Sequence, residues 1–263
     1  MSKKKVTAVI RRHEEIAENI YDLWLETELS KDARPGQFVS VYPKDGAKLL
    51  PRPISICGID EKEGLLRLVY RVTGPGTGTA SFSHMHAQDK VQILGVLGNG
   101  FPIEKADGKS VFVMGGGIGI PPMLETVKAL KERAGAKNIN AVLGYRSERF
   151  LREEFSQYCL VYVATEDGSY GTQGNVMDVI KGQGLKADII FACGPMPMLR
   201  AIKTYAAENG IEAYISLEER MACGVGACLG CVCKTAREDE HSKVNNSRIC
   251  TDGPVYLSSD VEI

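Results

Sequence analysis

The sequence predicts three pieces in order: a small antiparallel β barrel, a doubly wound parallel α/β sheet, and a short C-terminal segment built around clustered cysteines. Three observations carry this reading. Short alternating apolar runs broken by turn residues extend to about Glu104, β–α alternation replaces them from Lys109, and four cysteines near the C-terminus follow a metal-binding spacing. The pieces span residues 1–104, 105–212 and 213–263.

In the first piece the apolar runs are residues 6–10, then Tyr21, Leu23 and Leu25, then 38–42 and 65–72. Pro35-Gly36, the turn sequence from Pro43 to Gly46, and Gly74-Pro75-Gly76 punctuate them. No long helical period intervenes, so the runs read as strands of a barrel. Arg52-Pro53-Ile54-Ser55 falls among them. An arginine can grip phosphate in a charge-assisted bidentate contact, proline fixes the local backbone, and serine adds a hydroxyl. Taken alone, such a tetrapeptide serves equally well in a surface turn.

The second piece opens on a buried strand at residues 111–114, after which Met123, Leu124, Val127 and Leu130 share one helix face. Further strands are expected at 140–144, 160–164 and 188–192, with helices near 174–181 and 196–208. Between the first strand and helix lies Gly115-Gly116-Gly117-Ile118-Gly119-Ile120-Pro121-Pro122. Glycines there let the backbone close on a pyrophosphate while the helix start offers free N–H groups. Tight strand-to-helix turns also use glycine for purely structural ends; the position after a strand and the two prolines point to a dinucleotide. A second turn, Cys193-Gly194-Pro195, follows another strand at the edge where ligands of open α/β sheets collect.

The third piece reads Cys223-Gly224-Val225-Gly226-Ala227-Cys228-Leu229-Gly230-Cys231, with Cys250 eighteen residues further on. This C-x4-C-x2-C…C spacing is the plant-type [2Fe–2S] pattern. Three thiolates within one short loop must converge, and Gly224, Gly226 and Gly230 permit the positive φ and close amide approach such a loop needs. Four cysteines also suit structural zinc, but zinc ribbons pair two short knuckles, whereas here the fourth ligand stands alone. Cys233 competes with Cys250 for that place. It lies two residues beyond Cys231 on a strand leaving the loop, so reaching back strains the chain, and Cys250 is preferred.

With 263 residues and 44% apolar content, the chain can build two cores and an appendage. A net charge of −1 gives no general attraction to nucleic acid or anionic membranes, and the run Lys3 to Lys5 is too short to change that. No apolar stretch approaches the roughly 20 residues that span a bilayer, and the N-terminus lacks a secretory pattern, so no membrane span is expected. Eight cysteines, dispersed except for one cluster, fit a reducing cytoplasm, with Cys57, Cys159 and Cys193 as ordinary buried thiols. His13, His84, His86 and His241 are scattered, and no Ser, Cys or His arrangement suggests substrate chemistry, so no catalytic residue is assigned.

As a set, Arg52-Pro53-Ile54-Ser55, Val69-Tyr70-Arg71, Gly76-Thr77, residues 115–122 and Cys193-Gly194-Pro195 resemble the ferredoxin–NADP reductase superfamily. The cysteine loop in the context Glu219-Arg220-Met221-Ala222-Cys223 makes the chain most similar, over essentially its whole length, to the electron-transfer subunits of type B, NAD-dependent dihydroorotate dehydrogenases. The resemblance implies a ferredoxin-reductase-like FAD barrel, an NAD-binding α/β domain and a [2Fe–2S] domain. Arg52 and Ser55, with Pro53 and Ile54 between them, would meet FAD phosphate and isoalloxazine atoms. Val69, Tyr70 and Arg71 would line the flavin and its pyrophosphate, and Gly76 and Thr77 would donate to the diphosphate. Gly115, Gly116, Gly117 and Gly119 would flank NAD together with Cys193, Gly194 and Pro195, while Cys223, Cys228, Cys231 and Cys250 would hold the cluster. Family members often carry a basic residue where this chain has Pro75, which leaves that phosphate contact to Arg71.

The resemblance also implies a partner. An FMN-containing dihydroorotate dehydrogenase catalytic subunit would oxidise dihydroorotate for pyrimidine (UMP) biosynthesis in the cytoplasm, as a heterotetramer with two of each chain. Electrons would then pass through [2Fe–2S] and FAD to NAD+. The electron count agrees independently: NAD takes a hydride and the cluster single electrons, so a flavin must stand between them. Glu166 and Asp167 suit a ribose hydroxyl and favour NAD over NADP, with Arg146 nearby as the opposing signal. Two alternatives stand. One is a flavin reductase of the same build passing electrons from NAD(P)H to ferredoxin or a sulfur-reducing partner; some of these replace the first cysteine by aspartate, which Cys223 disfavours. The other is a zinc-stabilised nucleotide-binding regulator without redox function.

Overall fold

In the computed structural model, which describes residues 3–44, 48–238 and 243–263, the early alternating runs close into a six-stranded antiparallel barrel. Its strands are β1 (Lys4–Ala17), β2 (Ile20–Glu26), β3 (Phe38–Val41), β4 (Arg52–Asp60), β5 (Leu65–Arg71) and β6 (Lys90–Leu97), with the short helix α1 (Gly78–Phe82) before β6. Their order is β1-β2-β5-β4-β3-β6, and β6 returns to β1. Alternate apolar residues, among them Ile10, Leu23, Leu25, Val39, Leu66, Leu68 and Ile93, fill the interior. His241 and the end of the turn from Pro43 to Gly46 lie outside the described residues.

The β–α alternation becomes β7 (Ser110–Gly116), α2 (Ile120–Arg133), β8 (Asn138–Tyr145), α3 (Arg152–Phe155), β9 (Leu160–Thr165), β10 (Thr172–Gln173), α4 (Val176–Gly182), β11 (Ile189–Cys193), α5 (Met196–Asn209) and β12 (Glu212–Ser216). The strand order β10-β9-β8-β7-β11-β12 is parallel throughout. Sequence order reverses between β7 and β11, which opens a crevice beyond their carboxyl ends.

The cysteine segment adds an antiparallel pair, β13 (Val232–Lys234) and β14 (Asn246–Arg248), and then β15 (Val255–Leu257), which joins the sheet antiparallel to β12. The sheet thus takes in residues beyond 212, where the sequence places a boundary. Ala213 and Ile215 are buried in the core on one face of the sheet and Val255 in the core on the other.

Barrel and sheet are fused. Ile20, Cys57, Val69 and Phe101 of the first piece share a core with Val113, Ile120, Met123 and Val127 of the second. Strand β3 covers β4 only as far as Ser55, so α2 finishes the edge with side chains. Glu125 Oε2 accepts from the Ile59 N–H at 3.1 Å, and Lys128 Nζ donates to the Ile59 carbonyl at 3.4 Å. Arg133 donates to the other Glu125 oxygen at 3.2 Å. Burial nonetheless pushes the Glu125 carboxyl up to about 7. A second clasp joins the same halves: Arg67, itself buried, donates to both oxygens of the fully buried Asp22 at 2.9 Å and reaches Glu154 on α3. Among the described residues no helix is long and apolar enough to cross a membrane.

Candidate functional site

The start of β4, the end of β5 and the turn before α1 converge on one cleft of about 910 Å³. Arg52, Pro53, Ile54, Ser55, Val69, Tyr70, Arg71 and Thr77 all line it, so one lining unites residues far apart in sequence. The Arg52 side chain crosses the first turn of α1, where a methyl group on Gly78 would stand 2.7 Å from Nε. Its Nη1 donates to the Leu50 carbonyl at 2.6 Å, which fixes the guanidinium at the rim. Thr77 caps α1 through the Ala80 N–H and donates to the Gly74 carbonyl at 2.8 Å. Gly76, with φ +75°, makes the turn possible but lies outside the lining.

Tyr70 is almost fully buried and belongs to the barrel core. His13 Nδ1 lies 2.8 Å from the Met85 carbonyl, to which it donates, so in the neutral ring Nε2 accepts from the Tyr70 hydroxyl at 2.9 Å. The phenol is held there and supports the cleft from beneath.

The opposite wall was not assigned from sequence. It comprises Ile118, residues 216–221 and Pro254. Glu219, Arg220 and Met221 entered the sequence reading only as context for the cysteines, and their neighbours carry no motif; their role comes from β12 ending beside the barrel.

At the crevice, Gly115 of β7 pairs with Cys193 of β11. The two glycine-bearing turns are in direct contact. A methyl group on Gly119 would lie 2.5 Å from the Cys193 carbonyl oxygen, and one on Gly116 would lie 2.9 Å from Pro195 Cδ and 2.6 Å from Met198 Sδ. Gly194 packs against Gly116 likewise, and Gly117, at φ +53°, faces Arg71. The backbones must therefore be bare for the turns to meet, and this brings the crevice to the edge of the barrel cleft. Cys193 Sγ stands 3.9 Å from Glu218 Oε1 on the cleft wall. Burial pushes both groups above their ordinary ranges, with Arg71 pulling the Glu218 carboxyl back down. On the neighbouring loop, the Ser169 N–H donates to Asp167 at 3.0 Å and lowers its carboxyl, and the Asp167 N–H in turn bonds the Arg146 carbonyl.

Beyond residue 221 the chain curls into the cysteine loop. Gly224 and Gly226 take positive φ, +67° and +85°, as expected; the third such residue is Leu229 at +57° and not Gly230. Gly230 serves by its N–H, which points at Cys228 Sγ from 3.4 Å. Val225 and Ala227 aim theirs at Cys223 Sγ from 3.4 and 3.3 Å, and Cys250 at Cys231 Sγ from 3.4 Å. Such donors favour thiolate over thiol. Burial raises Cys223, but the N–H groups and the Cys228 thiol outweigh it and bring it down to about 6; burial and Cys231 push Cys250 up to about 11. Among the described residues no three His, Cys, Asp or Glu side chains surround a single ion. The cysteines act on one another: Cys228 on Cys223, and both Cys231 and Cys223 on Cys250. Cys233 instead turns to the Tyr256 hydroxyl.

A flavin-sized cleft between barrel and sheet, a crevice at the reversal of strand order and a loop that gathers four cysteines define an iron–sulfur oxidoreductase of the reductase type. Residues 113–204 match the oxidoreductase NAD-binding domain, and residues 218–262 match the iron–sulfur cluster binding domain of dihydroorotate dehydrogenase B. The dihydroorotate dehydrogenase B (NAD(+)) electron transfer subunit of Bacillus caldolyticus is 44% identical over 251 residues, 94% of each chain, and that of Geobacillus thermodenitrificans is 41% identical over 99% of each. Among solved structures, an NADH-dependent reduced ferredoxin-NADP oxidoreductase superposes with a TM-score of 0.85 at 29% identity, over 97% of this chain and 89% of the other. A ferredoxin NADP+ reductase from Neisseria gonorrhoeae, at 17% identity and a TM-score of 0.66 over 82% of this chain and 94% of the other, shares the fold. The chain belongs to the family of dihydroorotate dehydrogenase B (NAD(+)) electron transfer subunits. It is an oxidoreductase subunit that transfers electrons, with an NAD-binding and an iron–sulfur-binding domain.

Proposed function

We propose that this chain takes electrons from an FMN-containing dihydroorotate dehydrogenase catalytic subunit and delivers them to NAD+, as half of a cytoplasmic heterotetramer with two of each subunit. The observation that carries this reading is the wall at residues 216–221: it lines the barrel cleft and runs directly into Cys223, so cleft and cysteine loop are one continuous site.

Residues 1–104, 105–212 and 213–263 divide the work. Arg52, Arg71 and Thr77 hold the FAD phosphates, Ser55 meets the isoalloxazine, and Pro53, Ile54, Val69 and Tyr70 shape the apolar part of the cleft, with Gly76 as its turn. FAD in this cleft supplies the exchange between a hydride and single electrons. Gly115, Gly116, Gly117 and Gly119 receive the dinucleotide beside Cys193, Gly194 and Pro195, and Glu166 and Asp167 hold its ribose. Cys223, Cys228, Cys231 and Cys250 would supply the four thiolates that hold the cluster, which would carry one electron at a time. Cys228, Val225 and Leu229 are exposed and form the docking face.

The decisive experiment is reconstitution. The isolated chain reduces artificial acceptors with NADH and does not oxidise dihydroorotate; added catalytic subunit restores dihydroorotate-dependent NAD+ reduction. Charged substitutions at Val225 or Leu229 weaken that assembly and leave FAD bound. A second reading, a reductase that passes electrons to ferredoxin, is favoured by the likeness to the NADH-dependent reduced ferredoxin-NADP oxidoreductase. Efficient ferredoxin reduction without binding of the catalytic subunit would establish it.

A further inference from the structure

Strand β3 is buried on both sides. Val39 and Val41 point into the barrel, while Phe38 packs outward in the core that also contains Leu97, Leu217, Cys231 and Cys250. Ser40 is 1% exposed, and its hydroxyl has no hydrogen-bond partner among the described residues. Its cross-strand neighbours do not help: neither Pro53 nor Leu94 carries a polar side chain. An orphaned buried hydroxyl is costly, so it calls for an acceptor that the protein atoms do not supply.

The cysteine loop covers this position. A methyl group on Gly224, directly after Cys223, would lie 3.3 Å from Ser40 Oγ and 3.3 Å from Leu97 Cδ1. The hydroxyl therefore faces the loop, on the strand paired to Pro53 of the flavin cleft. Sulfur atoms of an electron-rich cluster are the acceptors that such a loop encloses.

We propose that Ser40, a barrel residue outside every cysteine motif, donates a hydrogen bond from its hydroxyl to the sulfur face of the cluster and sets its reduction potential. The inference rests on the assignment of the cluster to Cys223, Cys228, Cys231 and Cys250. Ser40 transfers no proton or electron; it is a positioning residue whose hydrogen bond strengthens as charge accumulates on sulfur and so favours the reduced state. It lies between the pair of strands that bears Pro53 and the loop that bears Cys223, so its bond tunes the transfer step between the two sites.

The test compares wild type, Ser40→Ala and Ser40→Cys by three readouts. Iron and acid-labile sulfide in the wild type check the cluster assignment itself; a chain that binds neither overturns that assignment, and this inference with it. Given a cluster, a potentiometric titration followed by electron paramagnetic resonance should show the reduced-to-oxidised ratio of Ser40→Ala falling about three- to tenfold at fixed poise, where tenfold corresponds to 59 mV for one electron. Ser40→Cys, with a weaker donor, should fall between. Thermal unfolding without iron separates a merely structural role: removing an orphaned hydroxyl should leave the apo chain as stable or more so, whereas a serine that serves packing would destabilise it when replaced. An unchanged potential and spectrum in Ser40→Ala, with iron content intact, would overturn the inference and leave the cluster assignment standing. A variant unable to keep iron, with an apo chain less stable than wild type, would equally count against it.

Discussion

Asn99 and Val255 exchange two hydrogen bonds: the Asn99 side-chain amide donates to the Val255 carbonyl at 2.7 Å, and the Val255 N–H donates to Asn99 Oδ1 at 3.0 Å. The Asn99 amide also reaches the Asp252 carbonyl at 3.1 Å. One side chain after β6 thus imitates a strand and pins the stretch that follows Cys250 to the barrel. Asn99→Ala leaves buried backbone groups unpaired and should cost about 1–3 kcal/mol. Iron should be lost on mild heating well before FAD, measured as absorbance of each after desalting.

For the cluster, Cys250→Ala should lose most iron and sulfide, because one of the four thiolates is lost. Cys233→Ala should keep both, since that side chain faces Tyr256. Colorimetric iron and sulfide assays compare the two; the reverse pattern would exchange their roles.

Arg52→Ala should weaken FAD retention most among the cleft variants, as a charge-assisted phosphate contact is about twice as strong as a neutral one. Ser55→Ala should leave FAD bound and alter its absorption spectrum. FAD per chain after gel filtration decides both, and full occupancy of Arg52→Ala would remove this residue from the site.

Glu125 predicts a pH dependence of stability. Its carboxyl sits at about 7 in the folded chain against an ordinary 4.5. The folded state therefore binds the proton more tightly, so this stabilisation is complete below pH 4.5 and lost as pH rises through 7. Glu125→Gln still accepts from Ile59 but cannot ionise. Urea titrations at pH 5 and 8 should show a smaller loss of stability in the variant, by on the order of 3 kcal/mol at 1.36 kcal/mol per pH unit.

NADH should outperform NADPH in kcat/KM, because Glu166 and Asp167 repel a 2′-phosphate. Replacing both by Ser and Arg should narrow the difference. A preference for NADPH in the unaltered chain would place Arg146 at the ribose instead.

Much of this was legible because the signals are local. The alternation of Leu66 and Leu68 announces a barrel strand, and Gly115 to Gly119 between strand and helix announces a tight turn. Tyr70 fits its motif, yet its hydroxyl is turned away to His13, 57 residues distant in sequence, and no periodicity encodes that pairing. Ser40, Asn99 and the place of residues 216–221 in the cleft wall were invisible for the same reason. A lone serine on a strand, or an asparagine in a turn, carries no pattern; closure of the barrel against the loop gives each its task.

The pairing of β15 with β12 bears on how this chain could be shortened. Tyr214, Ile215 and Ser216 present an outer edge that β15 covers. A chain cut after Leu217 would lose the rest of the cleft wall and display that edge as a row of free N–H and C=O groups, ready to pair with another molecule. Self-association, and not merely colourless protein, is the expected fate of such a fragment. The last strand is in this sense a sheath for the sheet, and removing the metal domain alone demands that a polar or charged edge be written into β12 in its place.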